Sequence, residues 1–233
     1  MPLSGQHVPT DRGGSSRPTT GPAPATAAVL VCDLDGVIRQ FDQESTAAVE
    51  RDLGLSQGFI ADIAFERSRL DVAIKGTVSD GAWRASVVQE LARFVAESDA
   101  EAAVSEWCRS PGTLDPDVLG LVRAARTRVP VMLFTNATTR LRSDLAVLGV
   151  LHEFDAIISS AETDHVKPEP GAYAAAEQAV ESLVGRRVTS TQILFFDDSV
   201  SNVEAAAARG WHASQFLDTA MMKSVLVAAA VLP

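Results

Sequence analysis

Residues 27–37 read AAVLVCDLDGV, and the way that stretch divides decides the fold. Its first six residues are apolar without interruption, as in a strand covered on both faces. Such strands belong to parallel sheets flanked by helices. The run stops at Asp33, and a second carboxylate, Asp35, precedes Gly36. Three further runs have the same character: VPVMLF at 129–134, FDAIIS at 154–159 and TQILFF at 191–196. Helical patterns over 117–128, 138–148, 171–183 and 200–209 are interleaved with them, and Gly149 and Gly210 stand where C-caps belong. This alternation predicts an α/β chain with a Rossmann-like, doubly wound parallel sheet and helices on both faces.

Between 45 and 113 the alternation stops. The patterns there are helical only, over 45–53, 57–68, 80–96 and 99–108, and Pro111-Gly112 closes the stretch. The expected organisation is a core formed by 27–44 and 114–233, with a small α-helical cap inserted at 45–113. Residues 1–26 are dominated by Gly, Ser, Pro, Thr and Ala. They have little apolar side chain to bury, which predicts a disordered tail.

Composition narrows the function. The chain has 233 residues, 46% of them hydrophobic and 21% charged, as in a globular protein that builds its own core. Its net charge of −10 argues against a nucleic-acid partner, whose phosphates attract basic surfaces. A phosphorylated small molecule is not excluded, because a few local cations and a metal can reverse the field within one cleft. Cys32 and Cys108 have no metal-ligand or redox spacing, and Cys32 reads as a small core residue. No apolar run reaches the roughly 18 residues that span a bilayer. The N-terminus lacks a charged-then-apolar secretory pattern. The expectation is a cytoplasmic protein without a membrane partner; an oligomer is possible but not indicated.

In open α/β sheets ligands bind at the carboxyl ends of the strands. Asp33-Leu34-Asp35-Gly36-Val37 follows the first run, Thr135-Asn136 the second, Lys167-Pro168-Glu169-Pro170 the third after some residues, and Asp197-Asp198-Ser199 the fourth. Asp33 and Asp198, with Asp197, could hold a hard cation such as Mg²⁺, which takes oxygen ligands. A carboxylate can accept a phosphoryl group, which splits the reaction into two steps. Asp35 can protonate the leaving oxygen and then activate water. Thr135, the Asn136 backbone N–H and Lys167 can bind the phosphoryl oxygens. The chain has only three lysines, Lys75, Lys167 and Lys223, against 17 arginines. A lysine kept at 167 in so arginine-rich a sequence suits a buried phosphate position that needs a compact charge.

These four fragments, in this order and spacing, resemble the haloacid dehalogenase-like hydrolase superfamily, in its branch with a helical cap after the first motif. The resemblance extends to SNVEAAAARGWHASQF and covers 28–218. It implies that Asp33 is the nucleophile and a metal ligand. It makes Asp35 the acid/base and the donor of a backbone carbonyl to the metal. Thr135 and Asn136 would bind phosphate, and Lys167 would bridge phosphate and nucleophile. Asp198 would ligate Mg²⁺ with Asp197 close by, and Asn202 would orient Lys167 or the acidic loop. Val37 departs from the threonine that many members carry. Asp35 favours phosphate over halide chemistry, because the members that dehalogenate haloacids lack it. The leading expectation is therefore a phosphatase acting on a small-molecule phosphomonoester. A phosphomutase, a phosphonate or C–halogen hydrolase, and a non-catalytic binding module of the same fold stay open. Arg39 and Phe41 are candidates to face the cleft, and Lys75-Gly76 to form a substrate-contacting loop. Trp83 and Trp107 read as cap core, His165 as a loop residue, and Tyr173 as packed in its helix.

Overall fold

A computed structural model of the chain describes residues 26–41 and 44–233. The tail expected over 1–26 lies, but for its last residue, outside the described residues. The chain enters through β1 (Val29–Cys32), turns through β2 (Arg39–Gln40), and runs into α1 (Glu44–Asp52), α2 (Phe59–Ala64), α3 (Arg67–Ile74), α4 (Asp80–Leu91) and α5 (Glu97–Trp107). It returns through β3 (Thr113–Leu114), α6 (Pro116–Arg126), β4 (Val131–Thr135), α7 (Leu141–Val147), β5 (Ala156–Ser159), α8 (Ser160–Thr163) and α9 (Pro170–Val184). It ends with β6 (Ile193–Asp197), α10 (Val200–Ala208), β7 (His212–Gln215) and α11 (Thr219–Ala228).

Five strands form one parallel sheet in the order β5-β4-β1-β6-β7, so the strand bearing Asp33 is central. The two-residue periodicity of a strand sends alternate side chains of β1 to opposite faces. Val29 and Val31 join Phe134, Phe195 and Trp211 with Tyr173 of α9 and Ala206 of α10. Leu30 and Cys32 join Leu133 and Phe196 with Val118 and Val122 of α6 and Leu226 of α11. Burial pushes the Cys32 thiol far up, as befits a core residue. The apolar C-terminal segment thus supplies a helix that docks on α6.

The α1–α5 insert has its own core, which includes Ile60, Ala64, Trp83, Val87, Leu91 and Val104. β2 and β3 pair antiparallel, Arg39 opposite Leu114 and Gln40 opposite Thr113, which ties together the two chain segments that leave and re-enter the sheet. Further contacts hold the insert to the core. Thr138 Oγ1 donates to Asp80 Oδ1 at 2.8 Å, and the Asp80 N–H donates to Thr139 Oγ1 at 2.9 Å. The Lys75 ammonium lies 3.1 Å from Glu169 Oε1. A Cβ on Gly76 (φ +70°) would fall 2.2 Å from the Ala161 carbonyl oxygen, so only glycine allows this approach.

Several elements differ from the sequence reading. The single helix expected over 57–68 is two helices, because Glu66 leaves the helical path and caps α3, accepting from the Ser68 N–H at 3.2 Å. The helix expected from 138 starts at Leu141, since Thr138 and Thr139 use their hydroxyls on Asp80 instead. β7 was not among the expected strands; its four residues are only partly buried and carry no apolar run. Among the described residues no helix is long and apolar enough to cross a membrane.

Glu177 links α9 to the end of α10. It accepts from Arg209 Nε at 3.0 Å and from Trp211 Nε1 at 3.0 Å. The hydrogen bond from Arg209 is the main cause that holds its carboxyl below the usual range, against the opposing effect of burial. A depressed carboxyl stabilises the fold above its unfolded pKa of about 4.3, and the contribution is lost as pH falls through the lower folded value. Glu177→Gln should therefore cost about 1 kcal/mol in urea denaturation near neutral pH. The gap to the wild-type chain should close as the pH is lowered toward about 3.

Candidate active site

The carboxyl ends of β1, β4 and β6 and the loop after α8 bring the expected residues together. Asp33 follows β1 directly, and its N–H donates to the Phe196 carbonyl at 2.9 Å, which fixes it against β6. Lys167 enters from the loop and is fully buried as a side chain. Its ammonium donates to the Phe134 carbonyl at 2.8 Å and to Asp197 Oδ2 at 2.6 Å. It also lies 3.0 Å from Asp33 Oδ1. That contact has the distance of an ion pair but not the angle of a hydrogen bond, so Asp33 Oδ1 is buried without a hydrogen-bond donor. The rings of Phe134 and Phe195 lie 5.0 and 5.7 Å from the ammonium and add favourable cation–π contacts.

Asn136 clamps the Lys167 loop. Its Oδ1 accepts from the Lys167 N–H at 2.8 Å, and its Nδ2 donates to the Lys167 carbonyl at 2.8 Å. The Asn136 side chain is thus committed to the loop, and its backbone N–H is the group left to face a ligand. Thr135, the last residue of β4, is buried beside it.

Asp197 is fully buried, and both its oxygens are engaged. Oδ1 accepts from the Ser199 N–H at 2.9 Å and from Asn202 Nδ2 at 3.0 Å. Oδ2 accepts from Asn202 at 3.1 Å as well as from Lys167. Asn202 therefore sits where the sequence reading expected a supporting residue. The Tyr173 hydroxyl donates to its carbonyl at 2.8 Å. Asp198 lies over Gly36: a Cβ there would come within 2.3 Å of Asp198 Oδ2, and φ is +82°, so the site requires glycine after Asp35.

Asp33, Asp197 and Asp198 each offer an oxygen within 4.8 Å of the others, the spacing of a metal site. One ammonium does not balance three carboxylates. Burial, opposed by Lys167 and reinforced by the charges of Asp197 and Asp35, pushes the Asp33 carboxyl up to about 7. Burial and then Asp197 raise Asp198. Burial works against the Lys167 charge, but Asp33 and Asp197 more than offset it, so the ammonium is held above its ordinary value. The surplus negative charge and the oxygen-only donor set fit a divalent cation.

Asp35 stands apart from this cluster. Arg39 grips it with a fork, Nε to Oδ1 at 2.6 Å and Nη2 to Oδ2 at 3.0 Å. Arg39 is itself buried, and its Nη1 reaches the Pro111 carbonyl at 3.2 Å and Asp144 Oδ2 at 3.4 Å. Arg140 Nε donates to Asp144 Oδ1 at 2.5 Å. The sequence offered Arg39 as one candidate among others, and Asp144, 105 residues away from it, gave no signal. Phe41 is half exposed, with the Arg39 guanidinium 4.8 Å above its ring. Lys75 faces Glu169 rather than Asp33, and His165 packs against Gly171.

A haloacid dehalogenase-like hydrolase family profile matches residues 27–210. Solved structures share the fold at low identity. A HAD family enzyme of Bacteroides thetaiotaomicron, in complex with magnesium and inorganic phosphate, superposes with a TM-score of 0.59 at 20% identity, over 82% of this chain and 93% of that one. A predicted HAD-like hydrolase of Porphyromonas gingivalis gives 0.59 at 18%, over 86% and 98%. The L-2-haloacid dehalogenase of Xanthobacter autotrophicus, with chloropropionic acid covalently bound, gives 0.56 at 22%, over 89% and 85%. A comparison with curated proteins gives no match. With the profile spanning four of the five strands of the sheet, the insert and the acidic cluster, the chain belongs to the haloacid dehalogenase-like hydrolase family.

Proposed function

We propose that the protein is a Mg²⁺-dependent phosphatase that hydrolyses a small-molecule phosphomonoester through an aspartyl-phosphate on Asp33. One observation carries the reading: Asp33, paired through Oδ1 with a single buried lysine, stands at a point where two more carboxylates converge. The magnesium and phosphate bound by the Bacteroides relative support the choice of metal and substrate. We read 45–113 as the cap and 27–44 with 114–233 as the catalytic core.

Asp33, Asp198 and the Asp35 carbonyl would hold the ion. Asp197, with its oxygens taken, would act by fixing Lys167. When bound, Mg²⁺ supplies positive charge that screens the repulsion between a carboxylate nucleophile and an anionic phosphate. The Thr135 hydroxyl, the Asn136 N–H and the Lys167 ammonium bind the phosphoryl oxygens. An Asp33 oxygen bonds to phosphorus as the bond to the ester oxygen breaks, and Asp35 gives that oxygen its proton, releasing the alcohol. Asp35, now a carboxylate, takes a proton from water. The water oxygen bonds to phosphorus, the Asp33–phosphorus bond breaks, and inorganic phosphate leaves. The sum is ester plus water giving alcohol plus phosphate. For this Asp35 must turn out of the Arg39 fork toward the cavity, on which its side chain is 41% exposed. Asp35 and its place at the cavity mouth support phosphate rather than halide chemistry. The ion pair of Lys75 with Glu169 speaks against a Schiff base on that lysine.

Asp33→Asn should abolish phosphate release from a panel of phosphomonoesters assayed with Mg²⁺, a loss of at least about 10³-fold. Turnover persisting in that variant would rule out the covalent route. Asn202→Ala should lower kcat by about 10–100-fold, since it strips two hydrogen bonds from the carboxylate that positions Lys167. A variant with unchanged kcat would remove Asn202 from the machinery.

A further inference from the structure

A cavity of about 510 Å³ lies between the insert and the core, within the range of small-molecule sites. Asp35 and Asn136 line it, from the same loops that carry Asp33 and follow Thr135. Under the phosphatase reading, the group that leaves with the ester oxygen would enter this space beside Asp35.

The charged groups of the wall are already spoken for. Among the described residues five carboxylates and three guanidiniums line the cavity. Asp35 is held by Arg39, and Asp144 by Arg140 and Arg39. Asp80 faces Arg84 at 2.7 Å, an ion pair although out of line for a hydrogen bond. Glu50 accepts from the Gly58 and Ile60 N–H groups at 2.7 and 2.9 Å, and Glu106 pairs with Arg109. The wall therefore carries net negative charge with its cations engaged. A second phosphate or a carboxylate on the substrate would be repelled.

The rest of the wall is mixed: Gln57, Ser110, Asn136 and Thr138 are polar, and the apolar part includes a cluster of rings. Phe65 meets Trp107 edge-on at 5.7 Å, and Trp107 meets Trp83 at 6.0 Å, so three rings form a continuous surface. Leu70 and Ile74 extend it. Phe65 is 38% exposed and Trp107 half-buried, a placement that costs apolar contact unless a ligand covers them. Rings offer other rings their faces and edges.

We propose that this cavity takes a neutral aromatic leaving group, so that the substrate is the phosphate monoester of an aromatic-ring alcohol rather than a bisphosphate or a phosphorylated acid. The proposal rests on the phosphatase reading above, and the test separates the two. Benzyl phosphate and glucose 6-phosphate are compared on the full-length protein with Mg²⁺; both release an alkyl alcohol, so leaving-group chemistry does not favour the aromatic ester. The expected kcat/KM for benzyl phosphate is larger by at least about tenfold. Trp107→Ala and Phe65→Ala, each checked for folding by circular dichroism, should each cut that ratio by about fivefold or more, mainly through KM. Binding of benzyl phosphate to the Asp33→Asn protein is followed by tryptophan fluorescence, since two of the three tryptophans, Trp83 and Trp107, line the cavity. A saturable change is expected. If glucose 6-phosphate is equal or preferred, the aromatic assignment falls and the phosphatase reading stands. If neither ester turns over but benzyl phosphate gives the saturable change, the cavity assignment stands and the phosphatase reading falls. If there is neither turnover nor a fluorescence change, both fall.

Discussion

The buried ammonium of Lys167 is the point on which the site is organised. It reaches, within 3.0 Å, the first strand through Asp33, the fourth through the Phe134 carbonyl and the sixth through Asp197. A lysine with its side chain wholly out of water is tolerable only because carboxylates and a carbonyl replace its hydration. Those carboxylates are tolerable only because it is there. Removing either side leaves an uncompensated charge in the sheet edge, so sequence positions more than a hundred residues apart are bound to one another. Asn136 clamps the backbone that carries the lysine, and Asn202 spans the carboxylate that receives it. The cluster is nevertheless out of balance, with more negative charge than one ammonium can neutralise. That imbalance supports reading it as a cation site rather than as a structural ion pair.

A second charged chain, separate from the first, runs from Asp35 through Arg39 and Asp144 to Arg140. It starts two residues after Asp33 and ends at carbonyls of the segment that returns from the helical insert, Pro111 through Arg39 and Cys108 through Arg140. The β2–β3 ribbon lies along the same path. Asp35 is thereby tied, through Arg39, Asp144 and Arg140, to the segments that join the insert to the sheet.

How much of this could be read in advance follows from the range of each interaction. β1, β4 and β6 are covered on both faces, so their apolar runs are uninterrupted and visible in sequence, as are the acidic and lysine motifs at their ends. β7 lies at the sheet edge with partly buried polar residues and left no such trace. The break between α2 and α3 and the late start of α7 depend on side-chain caps and on contacts between insert and core, which local periodicity cannot register. Asn202 donates to Asp197 from the first turn of α10, a short-range contact because the acidic loop and α10 are contiguous. Arg39 was only one of several candidates, because its partner Asp144 is distant in sequence. Trp83 and Trp107 read as core of the insert. Trp83 is buried there, yet both also face the cavity, a dual role that only the packing of insert against sheet reveals.

Calorimetric titration of the full-length protein with Mg²⁺ tests the account most directly. The charge imbalance around Lys167 predicts one Mg²⁺ bound per chain, with affinity falling by at least about tenfold in Asp198→Asn, a variant that keeps the shape of the site and removes one ligand charge. Absence of binding to the wild-type chain, or an unaltered affinity in Asp198→Asn, would contradict it.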